Sequence, residues 1–207
     1  LNDGKWDSLE VERSFRKQVV DTVYYESRKS GQPVFCIVDD TIASHTAPSS
    51  QALNPIEAAY YHMSHLKKCH DYGHQAVGVM LSCNGLSLNY AMVLYDKSRS
   101  KIEIVRRIAQ ELPVPPKAAY FLCDSWYTSS ELMAVFAQKG FESIGALRTN
   151  RIIYPNQIRQ QAKAFAPSIR KDDPNVSLVT VGHRRFYAYR YEGKVSNCEK
   201  AVVLLCY

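Results

Sequence analysis

Short apolar runs, separated by polar and turn-forming residues, organise the first two thirds of the chain. Wholly apolar runs are typical of strands buried on both faces, and they predict strands at residues 34–38, 75–83, 86–95, 118–123 and 141–147. Helices are predicted at residues 8–30, where Ser8 can cap the first turn, and at 55–68, 98–111 and 129–139. Three strands precede the first helical crossover, which predicts a mixed sheet with helices on its faces.

One stretch without charged residues, 75–95, is long enough to cross a bilayer. Its centre is Asn84-Gly85, a pair that favours a tight turn between two strands. We therefore predict a buried β-hairpin here rather than a membrane helix.

The pattern changes after Arg151, where strands and turns replace the alternation of strands and helices. We predict a helix at 156–166, strands at 176–182, 184–191 and 200–206, and turns at 172–175 and 192–194. The chain is accordingly divided into an N-terminal helix (1–32), a core (33–151) and a β-rich insertion (152–207).

The net charge divides at the same place. Its formal value is +6, from 26 Lys and Arg against 20 Asp and Glu. Residues 1–150 contain 16 of each, whereas residues 151–207 contain ten basic and four acidic residues, so that 10 − 4 = +6 is the whole excess. A basic excess confined to one region suggests a surface for a polyanion, although a solvated basic face gives the same count.

The six cysteines contain no Cys-x2-Cys pair, and Cys36 and Cys123 lie in apolar runs. Both facts favour reduced cysteines and a cytoplasmic protein. The chain begins with Leu1, so we expect it to be a piece of a longer protein.

Two aspartates, Asp40 and Asp124, come at the ends of predicted strands. Functional groups of open α/β sheets gather at the carboxyl ends of strands. Carboxylates that converge there suit Mg²⁺ or Mn²⁺, and a pair of such ions can activate water and stabilise a leaving oxygen in phosphodiester chemistry. Alternatively, Asp39 and Asp40 could cap the next segment, and Asp124 could cap the helix that follows it. The residues alone leave both possibilities open.

The order of these elements, together with four motifs, resembles the bacterial DDE transposases of insertion sequences. The similarity is to the group whose RNase H-like domain carries a β-stranded insertion after its fifth strand. The motifs occur in the family's order: Val38-Asp39-Asp40-Thr41, the Asn-Gly hairpin, Phe121-Leu122-Cys123-Asp124-Ser125-Trp126-Tyr127, and Gly145-Ala146-Leu147-Arg148-Thr149-Asn150-Arg151. The resemblance covers the chain from about residue 33 onward.

The resemblance implies an α/β fold: an RNase H-like mixed five-stranded sheet with flanking helices and a β-rich insertion at the C-terminal end. It implies metal-dependent cleavage of DNA and strand transfer, with Asp40 and Asp124 as catalytic residues and ligands of a two-ion Mg²⁺ or Mn²⁺ site. The family's first acid precedes a threonine, which selects Asp40 and leaves Asp39 as a weaker candidate. His65 is a further weak candidate near the active site.

The family's third acid is a Glu in the pattern Tyr-x2-Arg-x3-Glu-x6-Lys, and it is not found here. The pattern begins at Tyr187-x2-Arg190 but has Lys194 at the Glu position, and a second start at Tyr25 has Gln32 there. We therefore expect the central part of a transposase that ends before the third acid and is inactive alone.

The implied partners are the double-stranded DNA of the transposon ends and of the target, a second copy in a full-length homodimer, and the bacterial nucleoid. No membrane is involved. Trp126 could stack on a base, and the arginines could bind phosphates. The predicted DNA contacts are Trp126, Arg148, Arg151, Arg184, Arg185 and Arg190.

The segment 184–191 leaves two interpretations open. On a strand, Arg185, Tyr187, Tyr189 and Tyr191 share one face, which suits a nucleic-acid backbone or an ordinary strand with tyrosine pairs.

The sequence bears on two other functions. A phosphatase of the haloacid dehalogenase type would need a second Asp two residues after the first, where this chain has Thr41 or Ile42. A non-catalytic DNA-binding remnant of an inactivated mobile element fits the missing third acid as well as an enzyme fragment does.

Overall fold

The computed structural model describes residues 7–49, 56–64, 67–196 and 198–206. The chain divides into two compact units, Leu1–Gly145 and Ala146–Tyr207, which we call the first and the second unit. The division into three segments at residues 32 and 151 stays a prediction.

The first unit is a six-stranded mixed sheet with three helices. The strands are β1 (Val34–Ser44), β2 (Tyr60–Ser64), β3 (Cys69–Cys83), β4 (Leu86–Leu94), β5 (Ala119–Cys123) and β6 (Glu142–Gly145), and the helices are α1 (Ser8–Ser30), α2 (Lys101–Glu111) and α3 (Ser130–Gln138). Strand β1 is antiparallel to β3 and parallel to β5, which is parallel to β6, while β2 and β4 share the other edge of β3. The predicted mixed sheet with flanking helices is confirmed, with six strands instead of five.

The predicted hairpin is confirmed. Asn84 and Gly85 connect β3 to β4 with positive φ angles of 49° and 80°, as a two-residue hairpin turn requires. Among the described residues, no helix is both long and apolar enough to cross a membrane.

The core of the first unit lies between the three helices and one face of the sheet, which we call the helix-covered face. It contains alternate residues of β1 and β5, among them Val34, Cys36 and Phe121. Phe121 stacks on Phe136 of α3 with ring centroids 3.8 Å apart. Residues of the opposite face, such as Phe35, Ile37, Tyr120 and Leu122, are half-buried. The alternation of strand side chains thus gives the two faces different environments.

Three local predictions for the first unit are wrong. The helix expected at 55–68 is replaced at 60–64 by β2, which pairs with residues 69–73 at the start of β3, because backbone pairing outweighs local propensity here. Strand β1 extends to Ser44, since residues 39–44 pair with 73–78. Helix α1 is capped by Asp7 instead of Ser8, because the Asp7 carboxylate accepts the N–H groups of Leu9 and Glu10.

The second unit is a five-stranded sheet. Its strands are β7 (Ile152–Ile153), β8 (Gln160–Gln161), β9 (Val176–Val181), β10 (Arg184–Val195) and β11 (Cys198–Cys206), and a short helix α4 spans Ala162–Phe165. The order is β11-β10-β7-β8, with β9 paired to β10. Its core contains Ile153, Phe165, Tyr189, Tyr191 and Val203. The three predicted strands of this region are confirmed.

Two predictions fail in the second unit. The helix expected at 156–166 shrinks to α4, because residues 160–161 pair with β7 and Asn156 and Gln157 have positive φ angles. The turn expected at 192–194 lies inside β10, which continues through an irregularity at Gly193 to Val195.

Candidate active site

Neighbouring aspartates of β1 lie on opposite faces of the sheet. Parallel pairing between β1 and β5 ends at Val38 and Cys123. Asp39 is the next residue of β1, and Asp124 is the residue that follows β5. Side chains alternate along a strand, so Asp40 shares the helix-covered face with Val38, and Asp39 lies on the opposite face. The burial agrees, since Val38 is buried, Asp39 exposed and Asp40 half-buried.

The Asp40 carboxylate is engaged by three side chains. The Lys101 ammonium lies 2.8 Å from Oδ2, in an ion pair whose side chains are 17% exposed for Asp40 and 13% for Lys101. The Gln75 amide donates to the same oxygen, and the Tyr127 hydroxyl donates to Oδ1 at 3.1 Å. Asp40 is therefore part of a polar network that closes the end of the helix-covered core.

Asp124 begins the turn that follows β5. Its Oδ1 accepts the backbone N–H groups of Trp126 at 2.8 Å and Tyr127 at 3.2 Å, and its backbone carbonyl accepts the Thr128 hydroxyl at 2.9 Å. Asp124 thus caps its own turn. The expectation that it caps the following helix is wrong, because the N-cap of α3 is Ser129, whose side chain accepts the N–H of Leu132. The two backbone bonds hold the exposed Asp124 carboxylate at the end of β5.

Asp39 is exposed, and its Oδ1 accepts the backbone N–H of Asp40 at 2.8 Å. In the described part of the chain, Oδ1 accepts all the hydrogen bonds that the carboxylates of Asp39 and Asp124 receive. Both carboxylates therefore keep lone pairs for a cation or for water, unlike the enclosed carboxylate of Asp40.

Tyr127 bonds two of the three aspartates. The side chain is fully buried, its hydroxyl bonds Asp40, and its backbone N–H bonds Asp124. Burial raises the pKa of Tyr127, and the negative charges of Asp40, Asp124 and Asp39 raise it further, in that order. All three carboxylates therefore lie close enough for their charges to act on the phenol.

His62 of β2 belongs to the same neighbourhood. Its side chain is 5% exposed, and its buried Nε2 has no hydrogen-bond partner among the described residues. Burial lowers the pKa of His62, and the positive charges of Lys97 and Lys101 lower it further. His65, the histidine suggested by the resemblance, lies outside the described residues.

A divalent ion fits Asp39 and Asp124 better than Asp40. Mg²⁺ in proteins is commonly held by one or two carboxylates together with waters and phosphate oxygens. The two exposed aspartates can provide the carboxylates. Within residues 7–49, 56–64, 67–196 and 198–206, no group of three or more His, Cys, Asp or Glu side chains could hold an ion. A bound ion would therefore need additional oxygens from water or a substrate.

The sequence patterns missed three members of this site: Lys101, Gln75 and Tyr127. Lys101 and Gln75 reach Asp40 from sequence separations of 61 and 35 residues, which no local motif reveals. Tyr127 lies in the motif that begins with Asp124. Its position three residues after Asp124 was the one sign in the sequence that it belongs to the site. Trp126, a predicted DNA contact, is 46% exposed and has its ring 5.2 Å from the Lys101 ammonium.

Two of the predicted DNA-contacting arginines line a cleft in the second unit. Arg148 and Arg151 surround a space of about 290 Å³ together with Asn150, Ile152 and Ser196. The backbone N–H of Arg151 donates to the Arg148 carbonyl at 2.9 Å, which closes the turn between them. The cleft therefore presents two guanidinium groups with amide and hydroxyl groups beside them.

Strand β10 separates its arginines from its tyrosines. Arg184, Arg185 and Arg190 are exposed, and Arg190 pairs with Glu192. Tyr189 and Tyr191 are buried in the core of the second unit. The ordinary structural interpretation therefore holds for these two tyrosines, whereas the exposed arginines and the half-buried Tyr187 remain candidates for contact with DNA.

No protein-family model and no curated protein matches the chain. Among solved structures, it is similar to the cryo-EM structure of the piggyBac transposase synaptic complex with hairpin DNA, at 16% sequence identity and a TM-score of 0.41. The match covers 83% of this chain and 32% of the piggyBac transposase chain. This chain therefore spans about a third of the length of that transposase. A similarity at this level does not establish a function.

Proposed function

We propose that the first unit is the catalytic core of a DDE-type DNA transposase, in which Asp39 and Asp124 hold a divalent metal ion. The neighbouring positions of Asp39, Asp40 and Asp124, where β1 meets the end of β5 and Tyr127 bonds two of the three aspartates, carry this proposal. The motifs that resemble insertion-sequence transposases agree with it. The assignment differs from the sequence-based one, because the structure gives Asp40 to an internal network and leaves Asp39 exposed.

The strand arrangement supports an RNase H-like core. Strand β1 runs antiparallel to β3 and parallel to β5, so the first strand and the strand that ends in Asp124 are neighbours, as the resemblance implies. The acids then lie at adjoining positions of the sheet, which is the usual location of functional groups in such folds.

The residues of the site have different roles in this function. A bound Mg²⁺ or Mn²⁺ would supply activation of water and stabilisation of charge at phosphorus. Asp124 is oriented by the N–H groups of its own turn, and Asp39 is oriented by the extended backbone of β1. Tyr127 is fully buried beside Asp40 and holds it in place by its hydroxyl. The chain therefore supplies two oriented anionic ligands on a rigid sheet.

DNA binding is assigned to the second unit and to Trp126. The second unit contains eleven Lys and Arg against four Asp and Glu, a net charge of 11 − 4 = +7, and the Arg148–Arg151 cleft offers guanidinium groups of the kind that bind phosphates. The partner is double-stranded DNA, bound by a homodimer of the full-length protein. Such binding should weaken steeply as salt rises, because each neutralised phosphate releases counterions.

A metal-dependent DNA-binding measurement tests the proposal. Anisotropy of a labelled DNA duplex should show tighter binding in Mn²⁺ than in EDTA, because the ion links the carboxylates to a phosphate. Asp39→Asn/Asp124→Asn should abolish this difference, and the matched control Asp21→Asn, at an exposed position of α1, should retain it. Equal affinities in Mn²⁺ and EDTA for the unmutated chain would reject the metal site.

A non-catalytic DNA-binding remnant is the second candidate. The observation that favours it is the ion pair of Lys101 with Asp40, which occupies one of the three carboxylates. A remnant should bind DNA through the second unit with the same salt dependence but without any response to Mn²⁺. The measurement above therefore separates the two functions.

A further inference from the structure

Lys101 occupies an unusual position for a cation. It is the first residue of α2, immediately after the N-cap Ser100, whose side chain accepts the N–H of Glu103. The N-terminal end of a helix carries partial positive charge and disfavours lysine. A lysine placed there needs compensation from outside the helix.

That compensation comes from three different elements. The Lys101 ammonium lies 2.8 Å from Asp40 Oδ2 on β1, 5.4 Å from the ring centre of Tyr95 after β4, and 5.2 Å from that of Trp126 after β5. Aromatic faces attract cations at such distances. The side chain is only 13% exposed, so protein groups replace most of its hydration.

This enclosure makes Asp40 a poor metal ligand. Lys101 and Gln75 both donate to Oδ2, and Tyr127 donates to Oδ1, so most of the acceptor capacity of the carboxylate is used. A divalent ion that approached Asp40 would also meet the ammonium at short range, where the repulsion between the two cations is strong.

We propose that Lys101 is the resident counter-cation of Asp40, so that Asp40 binds no metal ion. Asp39 and Asp124 then bind one divalent ion, and the site holds one ion instead of two. The inference rests on the proposed function for the existence of the ion at Asp39 and Asp124. It replaces the two-ion site that the resemblance implies by one metal ion and one lysine. Lys101 is a positioning residue in this arrangement, because it acts through Asp40.

Titration with Mn²⁺, with the free ion measured by electron paramagnetic resonance, tests this inference on the protein alone. The unmutated chain should bind one ion. Lys101→Met should bind a second ion, or bind the first at least about tenfold more tightly, because a positive charge beside the site is removed. Lys101→Arg keeps the charge and should behave like the unmutated chain.

A neutral pair separates metal ligation from folding. Asp40→Asn/Lys101→Met removes both members of a partly buried ion pair together, so that neither charge is left uncompensated. This variant should bind one Mn²⁺ with an affinity within about threefold of the unmutated chain. Asp39→Asn and Asp124→Asn should each lose at least about tenfold, and circular dichroism checks that each variant is folded.

The outcomes distinguish the two proposals. Two ions on the unmutated chain, or a loss in the neutral pair as large as that in Asp39→Asn, would overturn the role of Lys101 while leaving a metal site in place. An unchanged Mn²⁺ stoichiometry and affinity in Lys101→Met would overturn it as well. If Asp39→Asn and Asp124→Asn both bind Mn²⁺ as the unmutated chain does, the metal site of the proposed function fails, and this inference fails with it.

Discussion

The two faces of the central sheet differ although the same strands form both. On the helix-covered face, Cys36 and Phe121 are fully buried, and the row of side chains continues to Asp40 with its network of donors. On the opposite face, Phe35 and Leu122 are half-buried, and the row continues to Asp39, which is exposed. A shift of one residue along β1 therefore changes an aspartate from an internal ion-pair partner to a carboxylate open to solvent.

The comparison teaches that stability and chemistry are divided between the faces. The helix-covered face should carry most of the folding free energy, because apolar burial is the dominant favourable contribution. The opposite face should tolerate substitution but control metal binding. Matched substitutions at neighbouring positions test this division.

The largest expected effect comes from Phe121→Ala. Phe121 is fully buried and stacks on Phe136, so its truncation should lower the free energy of unfolding by about 4 kcal/mol. Leu122→Ala, one residue further and on the half-buried face, should cost less than about 2 kcal/mol. Urea denaturation measures both, and similar losses would show that the faces contribute equally.

The next effect concerns the pairing of β1 with β3, on which both faces depend. A Cβ atom at Gly73 would lie 2.0 Å from the Ala43 carbonyl oxygen, so Gly73→Ala must displace backbone and should cost about 3 kcal/mol. Gly78 lies on the same strand, and a Cβ atom there would be 3.7 Å from its nearest neighbour. Gly78→Ala should therefore change stability by less than about 1 kcal/mol, and equal losses at both glycines would refute the steric argument.

The sequence predicts one part of this site well and another part poorly. The apolar runs locate β1 and β5, and they place Asp124 at the end of β5 because a buried strand needs apolar residues on both faces. They do not locate the end of β1, because residues 39–44 are mostly polar and are held by backbone pairing to β3. Without that extension, alternation could not assign Asp39 and Asp40 to different faces.

The partners of Asp40 were hidden for a second physical reason. Lys101, Gln75 and Tyr127 come from α2, β3 and the turn after β5, and only tertiary packing brings them to one carboxylate. The resemblance to transposases selected Asp40 and kept Asp39 as a weaker candidate. The choice between them required the burial of each side chain, which the motif does not contain.

A smaller effect is expected at the two aspartates of β1. Asp40→Asn keeps the shape of the side chain but leaves the mostly buried Lys101 ammonium without its counter-charge, so it should cost about 2 kcal/mol. Asp39→Asn should cost less than about 0.5 kcal/mol, since the exposed side chain bonds only its neighbouring backbone N–H among the described residues. Thermal unfolding without divalent ions measures both. A larger loss in Asp39→Asn than in Asp40→Asn would reverse the assignment of the faces.

The smallest effect tests a single hydroxyl on each face. Tyr127→Phe removes the bond from a fully buried phenol to Asp40, and one oxygen of the carboxylate then loses a donor where little water can replace it. The expected cost is about 1 kcal/mol. Tyr120→Phe alters the half-buried face, where the Tyr120 ring stacks on Phe35 with centroids 5.7 Å apart, and that stacking survives the change. Its cost should stay below about 0.5 kcal/mol, because a hydroxyl at a half-buried position can stay hydrated in the folded protein. If urea denaturation showed no loss for Tyr127→Phe, the Tyr127 hydroxyl would contribute no stability to the helix-covered face, and Asp40 would be held by Lys101 and Gln75 alone.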